Sequence, residues 1–265
     1  MDTQSKTTIL SWNVAGIRAC IKKGGLQFLL CNKYDVVCFQ ETKAEEVQVK
    51  LSDELKDMYP HRYWHATQGI TQRKGLSGTS IWCKKQPIRV IEPMGIDLEG
   101  RTLALEFEDY IILTVYTPNS QRPNSERFKF RTEVWDPTFK DYVNDLKSRK
   151  KTILCGDFNV AHKEIDIHNP NSNRNKSPGF LDAEREGFQR LLETGYTDCF
   201  RKFCKEPNHY TYWDQRNPSL RLNNKGWRID YFLACNNINS EIKESTIRPE
   251  ILGSDHCPIE LVFEH

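Results

Sequence analysis

Short apolar runs recur along the chain and predict strands at Thr8 to Trp12, Asp35 to Phe39, Gly78 to Trp82, Thr102 to Leu105, Tyr110 to Val115, Thr152 to Cys155, Arg228 to Leu233 and Pro258 to Phe263. Between them the apolar spacing lengthens to that of helices. From Glu45 to Met58, Val47, Leu51, Leu55 and Met58 fall on one helical face. A second helix is predicted to start at Asp136-Pro137, with Asp136 as cap, Pro137 in the first turn and Phe139, Val143 and Leu146 inward. A third, Asp182 to Glu193, turns Phe188, Leu191 and Leu192 inward and stops before Gly195. Many buried strands with few amphipathic helices predict two sheets packed together with helices outside.

At 265 residues the chain approaches the upper size for one core, and no Pro/Gly/Ser-rich linker divides it. The reading is a short tail over residues 1–6 and a single domain over 7–265. With 38% hydrophobic and 28% charged residues the composition is that of a globular protein. The longest apolar run, Tyr110 to Tyr116, is too short to span a bilayer, and the N-terminus lacks a secretory core. The expectation is an intracellular protein, nuclear or cytoplasmic, that makes no membrane contact. Nine cysteines without a C-x-x-C pair read as free, buried thiols in a reducing compartment.

A net charge of +2 does not by itself advertise a polyanionic partner, but cations cluster locally. Arg18, Lys22 and Lys23, Arg73 and Lys74, Arg122 and Arg127, Arg174 and Lys176, and Arg216, Arg221, Lys225 and Arg228 lie largely in loop-like segments. Displayed on one rim, they would bind a polyanion while acids elsewhere balance the total. Lys147 to Lys151 reads as the cationic end of a helix.

The candidate chemistry stands at strand ends. Asp157 and Asn159 follow the strand from Lys151 to Gly156; if the extended geometry persists, their side chains share a face and converge. The alternative is an ordinary turn, which Asp and Asn also favour. Four other strand ends finish alike: Asn13; Gln40-Glu41; Tyr116 to Asn119; and Asp230 with Ser254-Asp255-His256. A weak internal echo joins Asn13-Val-Ala and Asn159-Val-Ala, each after an apolar strand, as if two duplicated halves met.

Together the strings Ser11 to Arg18, Val37 to Lys43, Thr114 to Asn119, Cys155 to His162, Lys225 to Leu233 and Leu252 to Pro258 closely resemble the exonuclease III and apurinic/apyrimidinic (AP) endonuclease family of the endonuclease/exonuclease/phosphatase, or DNase I-like, superfamily. They run in family order over nearly the whole chain. The resemblance implies a four-layer α/β sandwich of two mixed, largely antiparallel sheets flanked by helices. It also implies an Mg²⁺-dependent enzyme, with Mn²⁺ as a substitute, that hydrolyses the DNA phosphodiester 5′ to an abasic site. A 3′-phosphodiesterase or 3′–5′ exonuclease activity would accompany this, and the protein would act as a monomer on double-stranded DNA.

Carried onto this sequence, the resemblance makes Glu41 the principal metal ligand, with Asp255 and Asn13 beside it. Asp230 would fix His256 in a positively charged form, Asp157 would orient or deprotonate the attacking water, and Asn159 would stabilise the pentacovalent centre. Tyr116, Asn119 and Asn13 would bond phosphate oxygens or neighbouring side chains, and Asn173 would be a further phosphate contact, with the proton-transfer roles of Asp157, His256 and Tyr116 left exchangeable. Tyr212, Trp227 and Ile229 would form a pocket for a flipped, base-free sugar. Arg18, Lys22, Lys23, Arg73 and Lys74 would grip the strands, and Arg122 would enter the helix at the lesion. Ala15 and Leu76 depart from the family pattern, where an acid or amide near the metal and an aromatic DNA contact are common. Two rival readings are a superfamily hydrolase acting on RNA or a lipid phosphoester, and a regulatory DNA-binding protein with reduced catalysis.

Overall fold

In the computed structural model, which describes residues 5–67 and 75–265, the described strands form two six-stranded sheets. The strands are β1 (Lys6–Asn13), β2 (Val36–Gln40), β3 (His61–His65), β4 (Thr79–Cys83), β5 (Arg89–Ile91), β6 (Thr102–Glu106), β7 (Ile111–Tyr116), β8 (Thr152–Asp157), β9 (Tyr196–Asp198), β10 (Asp230–Cys235), β11 (Ile242–Ile247) and β12 (Ile259–Glu264). One sheet runs β11-β12-β1-β2-β4-β3 and the other β5-β6-β7-β8-β10-β9. In each, the central pair, β1 with β2 or β7 with β8, is parallel and the remaining pairs are antiparallel.

All eight predicted strands are present, and they are the eight interior ones. The four not predicted, β3, β5, β9 and β11, are the four sheet edges. Edge strands face solvent on one side and carry polar residues, as Lys243-Glu-Ser-Thr246 in β11 illustrates, so they lack a continuous apolar signal.

The halves are topological copies. The succession β11, β12, β1, β2, β3, β4 repeats β5, β6, β7, β8, β9, β10 in strand order and pairing sense, with the chain ends joined through Ser5 N–H to the His265 carbonyl at 2.8 Å. This equates β1 with β7 and β2 with β8. The Asn-Val-Ala echo instead matches the ends of β1 and β8, so it does not trace the repeat. The tail is also shorter than expected, because Lys6 already opens β1.

Alternation along the strands builds the layers. Ile9, Val36, Cys38 and Ile81 face the core shared with Leu105, Leu113 and Leu233 of the second sheet, whereas Leu10, Val37, Phe39 and Trp82 pack outward against Ile17, Leu55 and Tyr59. On the far side Phe139, Val143, Leu146, Phe188 and Leu191 cover the second sheet. Each such large apolar side chain contributes about 1.5–3 kcal/mol on burial. The architecture is therefore the four-layer sandwich.

The predicted helix from Glu45 to Met58 is broken. Glu46–Gln48 forms one 3₁₀ turn, Val49 is extended, and a separate helix, Asp53–Met58, starts where Ser52 caps the Leu55 N–H; Val47 is 89% exposed. Asp136 is not a cap, since Glu126–Lys129 and a π turn, Phe130–Trp135, lead directly into the helix Asp136–Arg149. The wide turn tolerates Pro137, which has no N–H to donate. The third helix spans Asp182–Glu193 as predicted, with Leu192 only half-buried. Lys147 and Lys150 donate to the Thr194 and Phe107 carbonyls, and Lys151 pairs with Glu241, which supports the structural reading of that tract. All nine cysteines are free, seven of them buried. Among the described residues no helix is long and apolar enough to cross a membrane.

Candidate active site

Both parallel strand pairs end at the same pole. Register sets Asn13 beside Gln40 in one sheet, and Tyr116 beside Asp157 beside Asp230 in the other. Gln40 Nε2 ties the sheets together, donating to Ser11 Oγ at 3.0 Å and Thr114 Oγ1 at 2.7 Å. The two sets of strand ends thus meet across a cleft of about 540 Å³, lined among others by Glu41, Tyr116, Asn119, Asp157, Asn159 and His256.

Asp157 and Asn159 converge, but not by strand alternation. β8 ends at Asp157, and Asn159 turns into the left-handed region at φ 49°. Its N–H donates to Asp157 Oδ1 at 2.8 Å, and its Nδ2 to the Thr117 carbonyl at 2.8 Å. An Asx-type turn therefore joins them, which unites the two alternatives posed for this segment. Gly156 permits the approach. Its φ is 131°, and a Cβ there would lie 2.0 Å from the Val115 carbonyl oxygen.

Asn13, expected as a metal ligand, is fully buried. Its Nδ2 donates to Glu41 Oε1 at 3.0 Å and Asp157 Oδ2 at 2.9 Å, and its Oδ1 accepts from the Ala15 N–H. It bridges the carboxylates of the two sheets, and its polar atoms are committed to protein partners. Asp230 accepts from His256 Nδ1 at 2.8 Å, while its Oδ1 is buried without a partner. His256 Nε2 points toward Asp157 Oδ2 at 3.9 Å, and Tyr212 packs on the imidazole with ring centres 4.9 Å apart. The His256 backbone is held by Trp12 Nε1 and Ser254 Oγ.

Electrostatics differentiates these groups. Burial, then the Asp230 carboxylate, pushes Asp157 up to about 7 against the opposing His256. Burial disfavours a charged His256, but Asp230, followed by Asp157 and Asp255, pushes it up to about 10. Burial and the adjacent Glu41 drive Tyr116 well above the usual phenol range, although Arg101 stacks over its ring at 4.6 Å. Tyr116 is consequently a proton-bearing donor near neutrality. Burial would raise Glu41, yet Lys43, whose Nζ lies 2.8 Å from Oε2, and the Asn13 amide hold it below the usual range.

Glu41, Asp157 and His256 can bring ligand atoms within 4.8 Å of one another. His256 Nδ1 is engaged by Asp230, and Asp255 in the cleft wall adds another carboxylate to those of Glu41 and Asp157. Carboxylate donors and excess negative charge fit a hard divalent cation.

Asn119 Nδ2 donates to Asn159 Oδ1 at 3.2 Å, and Asn173, held by Ser177 and the Asn169 carbonyl, also lines the cleft. Tyr212, Trp227 and Ile229 form its apolar wall, packed against Ala161, Ile167 and Phe180. Arg18 and Lys22 on the helix Ile17–Lys22, Lys23 after it, and Arg122 are exposed and lie outside the cleft lining. Arg73 and Lys74 lie outside the described residues. Leu76 is half-buried, its carbonyl accepting from Thr67.

Of the expected rim cations, one is buried and another is half-buried. Arg228 is 1% exposed and paired with Asp166 and Asp198, and Arg127 is paired with Glu99. Lys43 and Arg101 are the site's further cations. Lys43 stands two residues from Glu41 within a string already noted, whereas nothing in the local sequence marks Arg101, which reaches Tyr116 through tertiary packing. Asp214, Arg216 and Leu220 also line the cleft.

The profile of the Endonuclease/Exonuclease/phosphatase family matches residues 10–256. The chain is 42% identical to an exodeoxyribonuclease of Bacillus subtilis, covering 96% of this chain and 98% of that one. It is also 42% identical to the DNA repair nuclease APEX1 of Danio rerio, covering 96% and 81%. Among solved structures, an AP endonuclease from Archaeoglobus fulgidus superposes with a TM-score of 0.86 at 25% identity, covering 97% and 99%. The Neisseria 3′ phosphatase NExo bound to product DNA hairpin gives 0.84 at 26% identity, with the same coverages. The sandwich, the shared pole of strand ends and these likenesses agree: the chain belongs to the exonuclease III and AP endonuclease branch of the endonuclease/exonuclease/phosphatase family.

Proposed function

We propose that this protein is an Mg²⁺-dependent class II AP endonuclease, hydrolysing the DNA phosphodiester 5′ to an abasic site to leave a 3′-hydroxyl and a 5′-deoxyribose phosphate. The observation that carries the reading is the meeting of Glu41, Asp157, Asn159 and the Asp230–His256 pair beside the apolar wall of Tyr212, Trp227 and Ile229. Glu41 and Asp255 would hold Mg²⁺, for which Mn²⁺ would substitute; when bound, the cation offsets charge developing on the phosphoryl oxygens.

Asp157 is placed by Asn13 and Asn159, and a carboxylate near 7 is matched to accepting a proton from water at neutral pH. The water oxygen bonds to phosphorus, the P–O3′ bond breaks, and the departing 3′ oxygen takes up a proton. His256, held as imidazolium by Asp230, and the Tyr116 phenol supply donors toward the phosphoryl group. Asn159 and Asn119 are hydrogen-bonded to each other and line the cleft, where they would stabilise the pentacovalent centre. The apolar wall of Tyr212, Trp227 and Ile229 offers a packing surface for a flipped, base-free sugar. Exposed Arg18, Lys22, Lys23 and Arg122 supply phosphate contacts, so affinity should fall with salt. A 3′-phosphodiesterase or 3′–5′ exonuclease activity uses the same centre, in keeping with the 3′ phosphatase among the neighbours.

The test is incision of a labelled duplex carrying one tetrahydrofuran abasic analogue, with Mg²⁺ or EDTA, by wild type, Glu41→Ala and His256→Ala. Cleavage immediately 5′ to the analogue, lost with EDTA and in both variants, is expected. Folded protein that binds but does not cut in Mg²⁺ or Mn²⁺ would reverse the reading.

A further inference from the structure

Behind the cleft, one buried cation touches two of the loops that deliver its polar groups, those after β7 and β8. Arg131 is 2% exposed and lies in the π turn Phe130–Trp135. Its Nη1 donates to the Pro118 carbonyl at 2.8 Å, its Nη2 to the Phe158 carbonyl at 2.9 Å, and its Nε to Asp136 Oδ1 at 2.7 Å. Pro118 immediately precedes Asn119, and Phe158 separates Asp157 from Asn159.

From this geometry we infer that Arg131 is a positioning residue for the reaction, a planar clamp that fixes the loop after β7 against the loop after β8. The loops also bond directly, from the Thr117 N–H to the Asp157 carbonyl at 2.9 Å, from Asn159 Nδ2 to the Thr117 carbonyl at 2.8 Å and between the Asn119 and Asn159 side chains, but none of these bonds holds the Pro118 or the Phe158 carbonyl. Asn159 must also hold a left-handed backbone, a conformation that persists only when its surroundings over-determine it. The guanidinium fixes the carbonyl just before that residue. A lysine, with one compact head and no fork, cannot span both carbonyls and Asp136 in the same way.

The surroundings are built around this group. Asp136 neutralises it, and a cavity of about 20 Å³, lined in part by Thr117, Arg131 and Asp136, adjoins Thr117 Oγ1 and Asp136 Oδ2, both buried without partners. Such a space is large enough for one water, and the two oxygens are polar groups that one would bond. The wide turn that carries Arg131 is itself a device found at functional sites. Arg131 does not line the cleft and so acts only through the loops it holds.

The inference rests on phosphodiester hydrolysis at this cleft. The experiment is steady-state incision of the abasic duplex in Mg²⁺ by wild type, Arg131→Lys and Arg131→Met, with melting temperatures measured in the same buffer. The expected result is a kcat lower by about 10²-fold in Arg131→Met, with KM within about twofold, because small displacements of reacting groups have effects of that size. Arg131→Lys should fall between that variant and wild type. An unchanged kcat, or a loss no greater than the fall in folded fraction, would overturn the assignment. If Arg131→Met does not fold, Arg131→Lys is judged by the same criteria. Wild-type turnover separates a failed clamp from a failed substrate assignment; were wild type inactive on the abasic duplex, the comparison passes to DNA ending in a 3′-phosphate.

Discussion

Two clusters of buried charge lie close together in this fold and are built on opposite plans. In one, Arg201 and Arg228 face Asp166 and Asp198: Arg228 Nε is 2.8 Å from Asp166, its Nη2 is 2.6 Å from Asp198, and Arg201 reaches Asp166 at 2.6 Å. Two positive and two negative groups cancel, and the remaining Arg201 donors satisfy the carbonyls of Cys204 and Glu206. In the other, the ion pairs of Glu41, Asp157, Asp230 and Asp255 among the described residues are to His256 and Lys43, and an oxygen of Asp230 has no partner. The first cluster is closed and fixes the segment carrying Trp227 and Ile229. The second is incomplete in charge and opens to the cleft, where a cation and a phosphate would complete it. A buried charge signals function when its partners do not balance it, and structure when they do.

The comparison fails if both clusters answer mutation alike. Asp157→Asn should lower kcat by roughly 10²–10⁴-fold while leaving folding stability unchanged or higher, since it removes a crowded carboxylate; incision kinetics and urea unfolding of one preparation decide this. Arg228→Met should do the reverse. It leaves two buried carboxylates short of a partner and should lower stability by about 3–5 kcal/mol, with activity tracking the folded fraction.

Acidity separates the clusters by sign. Burial opposes ionisation of Asp166, but Arg228 and Arg201 hold it below the usual carboxylate range. Its stabilising contribution is therefore full above the unfolded value of about 3.9 and is lost as pH falls through the folded one. His256 is raised to about 10, so its contribution is full below the unfolded value of about 6.5 and is lost as pH rises through about 10. Asp157, raised to about 7, adds a destabilisation that grows between about pH 4 and 7. Unfolding measured across pH should show Asp166→Asn flattening the acid limb and His256→Gln the alkaline one. One substitution flattening both would contradict the separation.

The smallest expected effect sharpens the picture of the open cluster. Ala15 lies beside it at φ 48°, a conformation that asparagine tolerates better than alanine. Ala15→Asn should raise stability by about 0.5–1 kcal/mol, part of the left-handed cost, with little change in cation affinity. Ala15→Asp should give the same backbone relief and also bind Mg²⁺ more tightly, read as a larger thermal shift on adding the metal. Equal Mg²⁺ affinity in wild type and Ala15→Asp would count against a metal role for this position.

What could be read from the chain divides along physical lines. Interior strands, apolar on both faces, were legible as runs, whereas the polar edges β3, β5, β9 and β11 were not. Asp182–Glu193 was legible because its caps and periodicity agree, but Glu45 to Met58 was not: its apolar spacing is helical, yet Ser52 starts a new helix and Val47 faces solvent. The identities of Glu41, Asp157, Asn159, Asp230 and His256 stood out as polar groups at the ends of apolar strands, and the register of the sheets brings those ends to one pole.

By itself the sequence determined the interior strands, the layer order and the chemical character of the cleft, because hydrophobic period and strand-end chemistry are local properties. Only the tertiary structure decided which charges are spent on one another. Asp166 meets Arg228 across 62 positions of chain, and Arg131 reaches a carbonyl 27 positions away. Such pairings depend on how distant segments pack, and packing turned Arg228 from an expected rim cation into a buried strut and set Asn13 as a bridge between Glu41 and Asp157.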